Sequence, residues 1–181
     1  MARISEKFSL WRSHKHKARP ELITALGAHA GLMIASAVRV LGSLHDAEDI
    51  AQDIAERLLR SPPIDIRNWP AYLRTMAVNG ALDRLRKRRS TEGVEDIVDD
   101  STPESLFEAT ERGAALRGAI ATLSNKDALL FSLYYLEELS QAEIGEQLDM
   151  TENAVAVALH RVRQRLCNDL RDRLQINNEE Q

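Results

Sequence analysis

The sequence predicts an all-α protein built as two small helical domains. Three observations lead there. Apolar residues recur at three-to-four-residue steps through most of the chain, which is the period of an amphipathic helix. Aromatic residues make up only 4% while Ala, Leu, Arg and Glu abound, a composition that favours helix over sheet. One stretch near the middle, residues 90–110, loses the periodicity and gains Ser, Thr, Gly, Pro and acids, which divides the chain in two.

Residues 1–20 are basic and polar, with His14 and His16 interleaved with Lys15 and Lys17, and read as a solvated tail closing at Pro20. These two histidines lack a third ligand nearby, so no metal site is expected. From Glu21 the residues Leu22, Leu26, Met33, Ala37, Val40 and Leu41 mark a first helix that stops near Gly42. A second helix spans about Asp46 to Arg60, with Ile50, Ile54 and Leu58 on one face, and Ser61-Pro62-Pro63 ends it. The third starts around Pro70 and turns Leu73, Met76, Ala77, Gly80 and Leu85 inward. The first domain is thus 21–89, followed by a flexible acidic linker at 90–112. Helices at about 105–123, 126–137, 141–148 and 152–174 follow it. The second domain covers 113–175, and 176–181 is a tail.

Charge separates along the same lines. Residues 1–89 carry 16 Lys and Arg against 9 Asp and Glu, whereas residues 90–113 carry 1 against 8. A basic segment beside an acidic one points to a polyanion-binding part, despite the overall net charge of -4. The single cysteine, Cys167, excludes an intramolecular disulfide and suits a reducing compartment. Uninterrupted apolar runs are short and the N-terminus opens on charges, so neither a membrane span nor a secretory signal is expected, and the cytoplasm is the default. No catalytic triad, phosphate-binding glycine loop or metal cluster stands out. Neither catalysis nor a cofactor is expected.

Residues 139–155 read as a helix-turn-helix. Ser140 caps its first helix with Glu143 three positions on, the pattern of a capping box. Ile144 and Leu148 face inward, a break follows at Asp149 and Met150, and Thr151 caps the next helix. That helix buries Val155, Leu159, Val162 and Leu166 and presents His160, Arg161, Arg163 and Arg165. In such a unit the N-terminal half of the second helix meets base edges, here Thr151, Asn153, Ala156, Val157, His160 and Arg161.

Two earlier segments extend the pattern. Residues 46–60 begin Asp-Ala-Glu-Asp-Ile-Ala-Gln-Asp, and residues 71–89 run from Ala71-Tyr72-Leu73 through Ala77-Val78-Asn79 and Asp83 to Arg84, Arg86, Lys87, Arg88 and Arg89. With Leu159-His160-Arg161-Val162-Arg163 and the linker's Thr102-Pro103-Glu104, these segments resemble sigma factors of the sigma-70 family. The short linker between the two modules is similar to that of the extracytoplasmic-function group. The resemblance covers nearly all of residues 21–170. It implies a subunit that binds core RNA polymerase, through its beta and beta-prime subunits, and directs it to promoters. Polymerase contacts would fall on Asp46, Glu48, Asp49, Gln52 and Asp53. The -10 element would be met by Asn79, Arg84, Arg86, Lys87, Arg88 and Arg89, and the -35 element by the helix-turn-helix. An anti-sigma factor is an implied partner, and the acidic linker would thread the polymerase interior. Five basic residues within 84–89 suit phosphate contacts, and the Asn79 amide can both donate to and accept from a base edge. Trp69 and Tyr72 offer either core packing or stacking on separated bases.

The sequence departs from the family pattern in three places. Tyr72 stands where Trp is usual. Gly145 and Asp149 replace an Ala before the turn and a Gly within it. Asp tolerates the left-handed backbone, but Gly145 is expected to cost up to about 1 kcal/mol of helix propensity. Ala156, Val157 and Ala158 replace Lys or Arg and Ser, which favours apolar contact with thymine methyls over hydrogen bonds. The rival readings are a helix-turn-helix regulator that acts without polymerase and a decoy that occupies an anti-sigma factor. The first leaves residues 46–60 and 71–89 unexplained. Retention of the basic residues at 84–89 and 161–165 speaks against the second.

Overall fold

The computed structural model describes the backbone of residues 2–92 and 104–179 and the side chains of residues 20–90 and 112–171. Every regular element among the described residues is helical. In chain order these are α1 (Ala2–Leu41), α2 (Leu44–Arg60), α3 (Trp69–Glu92), α4 (Glu104–Thr122), α5 (Asn125–Phe131), α6 (Gln141–Leu148) and α7 (Glu152–Glu179). A π-helical turn at Ser132–Leu136 lies between α5 and α6.

The first module is α1 packed along α2 and α3. Leu22, Leu26, Met33, Ala37, Val40 and Leu41 of α1 are buried, as are Ile50, Ile54 and Leu58 of α2 and Leu73, Ala77 and Leu85 of α3. Residues three and four apart share one helix face, so the apolar period in the chain and the buried stripe in the fold coincide. Each fully buried leucine contributes roughly 1.5–3 kcal/mol of transfer free energy. Gly42 closes α1 at φ 72, its N–H bonded to the Val38 carbonyl at 2.7 Å. A Cβ there would also meet the Arg117 guanidinium at 2.9 Å, so backbone and space both call for glycine. Ser43 then caps α2, its side chain accepting from the Asp46 N–H. Asn68 does the same for α3, its Oδ1 accepting from the Ala71 N–H at 3.0 Å.

Three boundaries differ from the sequence expectation. The stretch expected as a tail at 1–20 has helical backbone: α1 begins at Ala2 and runs through Pro20. Residues 2–19 contain neither glycine nor proline, and Pro20 removes one ladder bond without stopping the residues on either side. The side chains of His14 and His16 lie outside the described residues. The linker is shorter than 90–112, because α3 continues to Glu92 and α4 begins at Glu104; residues 93–103 lie outside the described residues. An acid such as Glu104 at a first helical position is favoured by the helix dipole. Finally, α7 reaches Glu179, so most of the expected tail at 176–181 is helix.

The segment Pro20–Leu41 is also long and apolar enough to cross a membrane by length and composition, with a mean hydropathy of 1.5 over 18 residues. Counting uninterrupted apolar runs misses this. Leu22, Leu26, Met33, Ala37, Val40 and Leu41 of this segment lie in the core of the first module, and 28% of the apolar window is buried.

In the second module, α4, α5 and α6 pack on α7. Val155, Leu159, Val162 and Leu166 of α7 are all buried. The expected helix at 126–137 is present but changes its pitch: α5 passes at Phe131 directly into the π-helical turn, and the Glu137 N–H reaches back to the Ser132 carbonyl at 3.0 Å. Glu138 follows in the left-handed region at φ 55.

The two modules pack together, with one apolar core continuous across them. α3 lies against α4 and α5. Polar contacts reinforce the junction: the Thr75 hydroxyl donates to Gln147 Oε1 at 3.2 Å, and Arg86 donates to the Leu123 carbonyl at 3.4 Å. Glu137 is held from the first module by Ser36, Arg39 and Arg74.

Candidate nucleic-acid interface

The basic run at the end of α3 divides by helix face. Arg84 and Arg88 turn toward α2 and pair with acids there. Arg84 Nη2 lies 2.7 Å from Asp46 Oδ1 and 3.2 Å from Asp49 Oδ2, and Arg88 bonds the other Asp46 oxygen. Arg86 pairs with Asp83 at 3.5 Å besides its bond to Leu123. Asn79, Lys87 and Arg89 are exposed. Those three form the open polar edge of α3, while Arg84 and Arg88 brace α2 against it.

Asp46 therefore differs from the other acids of α2. Its side chain is 7% exposed and is enclosed by Ser43, Arg84 and Arg88. Burial opposes its charge, but the Ser43 hydroxyl, then Arg88 and Arg84, outweigh burial and hold its carboxyl below the usual carboxylate range. Its position makes it a brace between α2 and α3 instead of an exposed contact. Glu48, Gln52 and Asp53 stand exposed on α2, and Asp49 is partly so. Arg117 of α4 completes the cluster. Its charge is disfavoured first by burial and then by Arg88, and one nitrogen of each of these arginines is buried without a hydrogen-bond partner.

Trp69 and Tyr72 are both half-buried and meet edge-on at 6.1 Å between ring centres. They pack against the core with Met76.

The helix-turn-helix is built as the sequence implies. Ser140 caps α6 and Glu143 returns the bond, with Glu143 Oε2 accepting from the Ser140 N–H at 2.8 Å. These bonds, the Ser140 hydroxyl first, lower the Glu143 carboxyl below its ordinary value. Asp149 takes the left-handed conformation at φ 53 and ψ 51. Thr151 caps α7 by accepting from the Ala154 N–H at 3.2 Å. Asn153, Val157, His160 and Arg161 are exposed along one flank of α7, with Ala156 half-buried among them. Gly145 reverses its expected role. An added Cβ would sit 2.6 Å from the Met150 carbonyl oxygen, so the close approach of α6 to the start of α7 requires glycine there.

Sequence reasoning missed Ser43, Arg117 and Glu137. Two of them carried a signal: Ser43 stands three residues before Asp46 at the head of an apolar-periodic helix, the pattern of an N-cap, and two acids at the end of an expected helix, Glu137 and Glu138, run against the helix dipole.

The described residues thus form a two-module helical chain with an ion cluster between α2 and α3 and an exposed helix-turn-helix flank, the class of fold that a DNA-binding protein presents. The sigma-70 region 2 family matches residues 26–91, and the sigma-70 region 4 family matches residues 113–166. The chain is 33% identical to the ECF RNA polymerase sigma factor SigW of Bacillus subtilis, over 74% of this chain and 80% of that protein. It is 31% identical to SigE of Mycolicibacterium smegmatis, over 82% of this chain and 61% of that protein, and 32% identical to SigF of Caulobacter vibrioides, over 74% and 75%. The chain belongs to the ECF RNA polymerase sigma factors. Its function is promoter-specific transcription initiation with RNA polymerase.

Proposed function

We propose that α2 seats the chain on the beta and beta-prime subunits of core polymerase through Glu48, Asp49, Gln52 and Asp53, with Asp46 bracing that helix from below. The α3 edge at Asn79, Lys87 and Arg89 engages the -10 element, and the α7 flank from Asn153 to Arg161 reads the -35 element. The observation that carries this reading is the exposed α7 flank projecting from a capped helix-turn-helix, on the same chain as an exposed acidic face on α2. The chain acts by binding, without catalysis of its own, in the cytoplasm, and an anti-sigma factor is the fitting regulator.

Asp53→Lys with Gln52→Ala is expected to weaken core binding by about ten- to a hundredfold, as the loss of a close charge contact does. Both residues are exposed, so the thermal midpoint stays at the wild-type value. An unchanged affinity on immobilised core enzyme would remove α2 from the interface.

On DNA, Arg161→Ala is expected to relax one position of the -35 site, by roughly 1–3 kcal/mol if its guanidinium bonds a guanine bidentately. Arg89→Ala should instead weaken all templates alike and reduce the salt slope by about 1, the signature of one lost phosphate contact. Selection from randomised promoters separates the two. The same sequence logo from wild type and Arg161→Ala would show that α7 does not read bases there.

A further inference from the structure

Glu137 is the charge that helix physics least explains. It ends the π-helical turn, where the dipole disfavours an acid, and its side chain is only 2% exposed. The groups that hold it come from the other module. The Ser36 hydroxyl donates to Oε2 at 2.9 Å, one Arg39 guanidinium nitrogen reaches both oxygens at 3.0 and 3.1 Å, and Arg74 Nε stands 3.4 Å from Oε2. Glu137 follows directly on the π-turn, its N–H bonded to the Ser132 carbonyl at 3.0 Å, and such turns recur at functional sites.

The packed arrangement limits how far apart the two reading surfaces lie. Asn79 is one helical turn from Thr75, about 6 Å along α3. Thr75 is hydrogen-bonded to Gln147, and the six residues from Gln147 to Asn153 span at most about 22 Å. Allowing roughly 10 Å for the two bonded side chains, Asn79 and Asn153 are at most roughly 40 Å apart. The -10 and -35 elements, by their own numbering, are about 25 base pairs apart, which is about 85 Å of duplex. Duplex this short is far below the persistence length of about 50 nm and stays nearly straight. The packed chain therefore cannot occupy both elements at once.

We propose that Glu137 is the latch of a self-closed conformer, which must release before both elements are engaged. This rests on the promoter reading above. Release is feasible because Glu137, Arg39 and Arg74 regain hydration once apart, so the latch selects one packing without adding much net stability. Core polymerase opens it to the extent that it binds the separated modules more tightly than the packed ones.

The test uses the full chain, spin-labelled at the exposed native Cys167 and at Ile23→Cys on the exposed face of α1, with distances from pulsed EPR. Free wild type should give one short distance, and core polymerase should lengthen it. Glu137→Lys and Arg39→Glu should each raise the open-to-closed ratio by at least about tenfold, and the double variant should return it toward the short distance. The Arg39 side chain is 49% exposed, so Arg39→Glu tests the latch without disturbing a core. A free wild-type chain already broad and long, short distances kept in both single variants, or a short distance persisting in a transcribing holoenzyme would each overturn the latch. Failure to bind core would overturn the promoter reading instead, with the latch still readable in the free chain.

Discussion

Asp46→Ala is expected to destabilise the chain by about 2–3 kcal/mol, although the residue lies in an acidic segment that resembles a partner contact. The magnitude follows from what is left behind. Arg88, with a side chain 22% exposed, would lose the carboxylate it pairs with among the described residues, and one of its nitrogens is already buried without a hydrogen-bond partner there. Arg84 keeps Asp49 and is more exposed, which moderates the loss. Removing one member of an enclosed pair costs more than the pair contributes, because the remaining charge stays desolvated. The effect has a pH signature. The folded Asp46 carboxyl is held below its ordinary value of 3.8, so its contribution is complete above that value and is lost as pH falls further, through the folded value. The wild-type advantage in urea unfolding should be full at neutral pH and shrink below about pH 4. Glu143 is lowered as well and adds to the wild-type acid sensitivity, so the difference between wild type and Asp46→Ala, and not the wild-type curve alone, isolates Asp46. Equal stability of the two proteins at pH 7 would refute the brace.

Gly145→Ala is the second large effect, and its sign is opposite to the one helix propensity gives. Propensity alone predicts a gain of up to about 1 kcal/mol for alanine in mid-helix. The new Cβ would lie 2.6 Å from the Met150 carbonyl oxygen, a backbone atom with no rotamer to escape into. Relieving that contact means moving the start of α7, at a cost of roughly 1–3 kcal/mol, so after the propensity gain a net loss of up to about 2 kcal/mol is expected. The same displacement breaks or lengthens the 2.9 Å bond from the Met150 N–H to the Gly145 carbonyl. It would tilt the flank that carries Asn153 and Arg161. Transcription from promoters that depend on the -35 element should therefore fall more than transcription from those that do not. A midpoint of unfolding equal to or above wild type would show that the turn absorbs the methyl group.

Much of this protein was legible in its sequence, for local reasons. Leu22 to Leu41, Ile50 to Leu58 and Val155 to Leu166 repeat at the helical period, and that period alone dictates which residues share a buried face. Ser140 with Glu143 and the Asp149 turn are decided within a few residues of themselves, so their roles were readable without knowing what packs nearby. Charged residues behave differently, because a side chain's type does not say which helix lies opposite it. Six residues from α3 read alike as a DNA-facing set, yet the approach of α2 turns Arg84 and Arg88 onto Asp46 and Asp49 and leaves Asn79, Lys87 and Arg89 outside. Gly145 read as a weak point until the Met150 carbonyl was found against it. Glu137, which sequence reasoning passes over, is held by Arg39 and Arg74 of the other module, the first of them 98 residues away in the chain. Period and capping set each helix by short-range sterics and hydrogen bonds. Partner choice among buried charges is set by tertiary contact, because desolvation penalises any arrangement that leaves one of them alone.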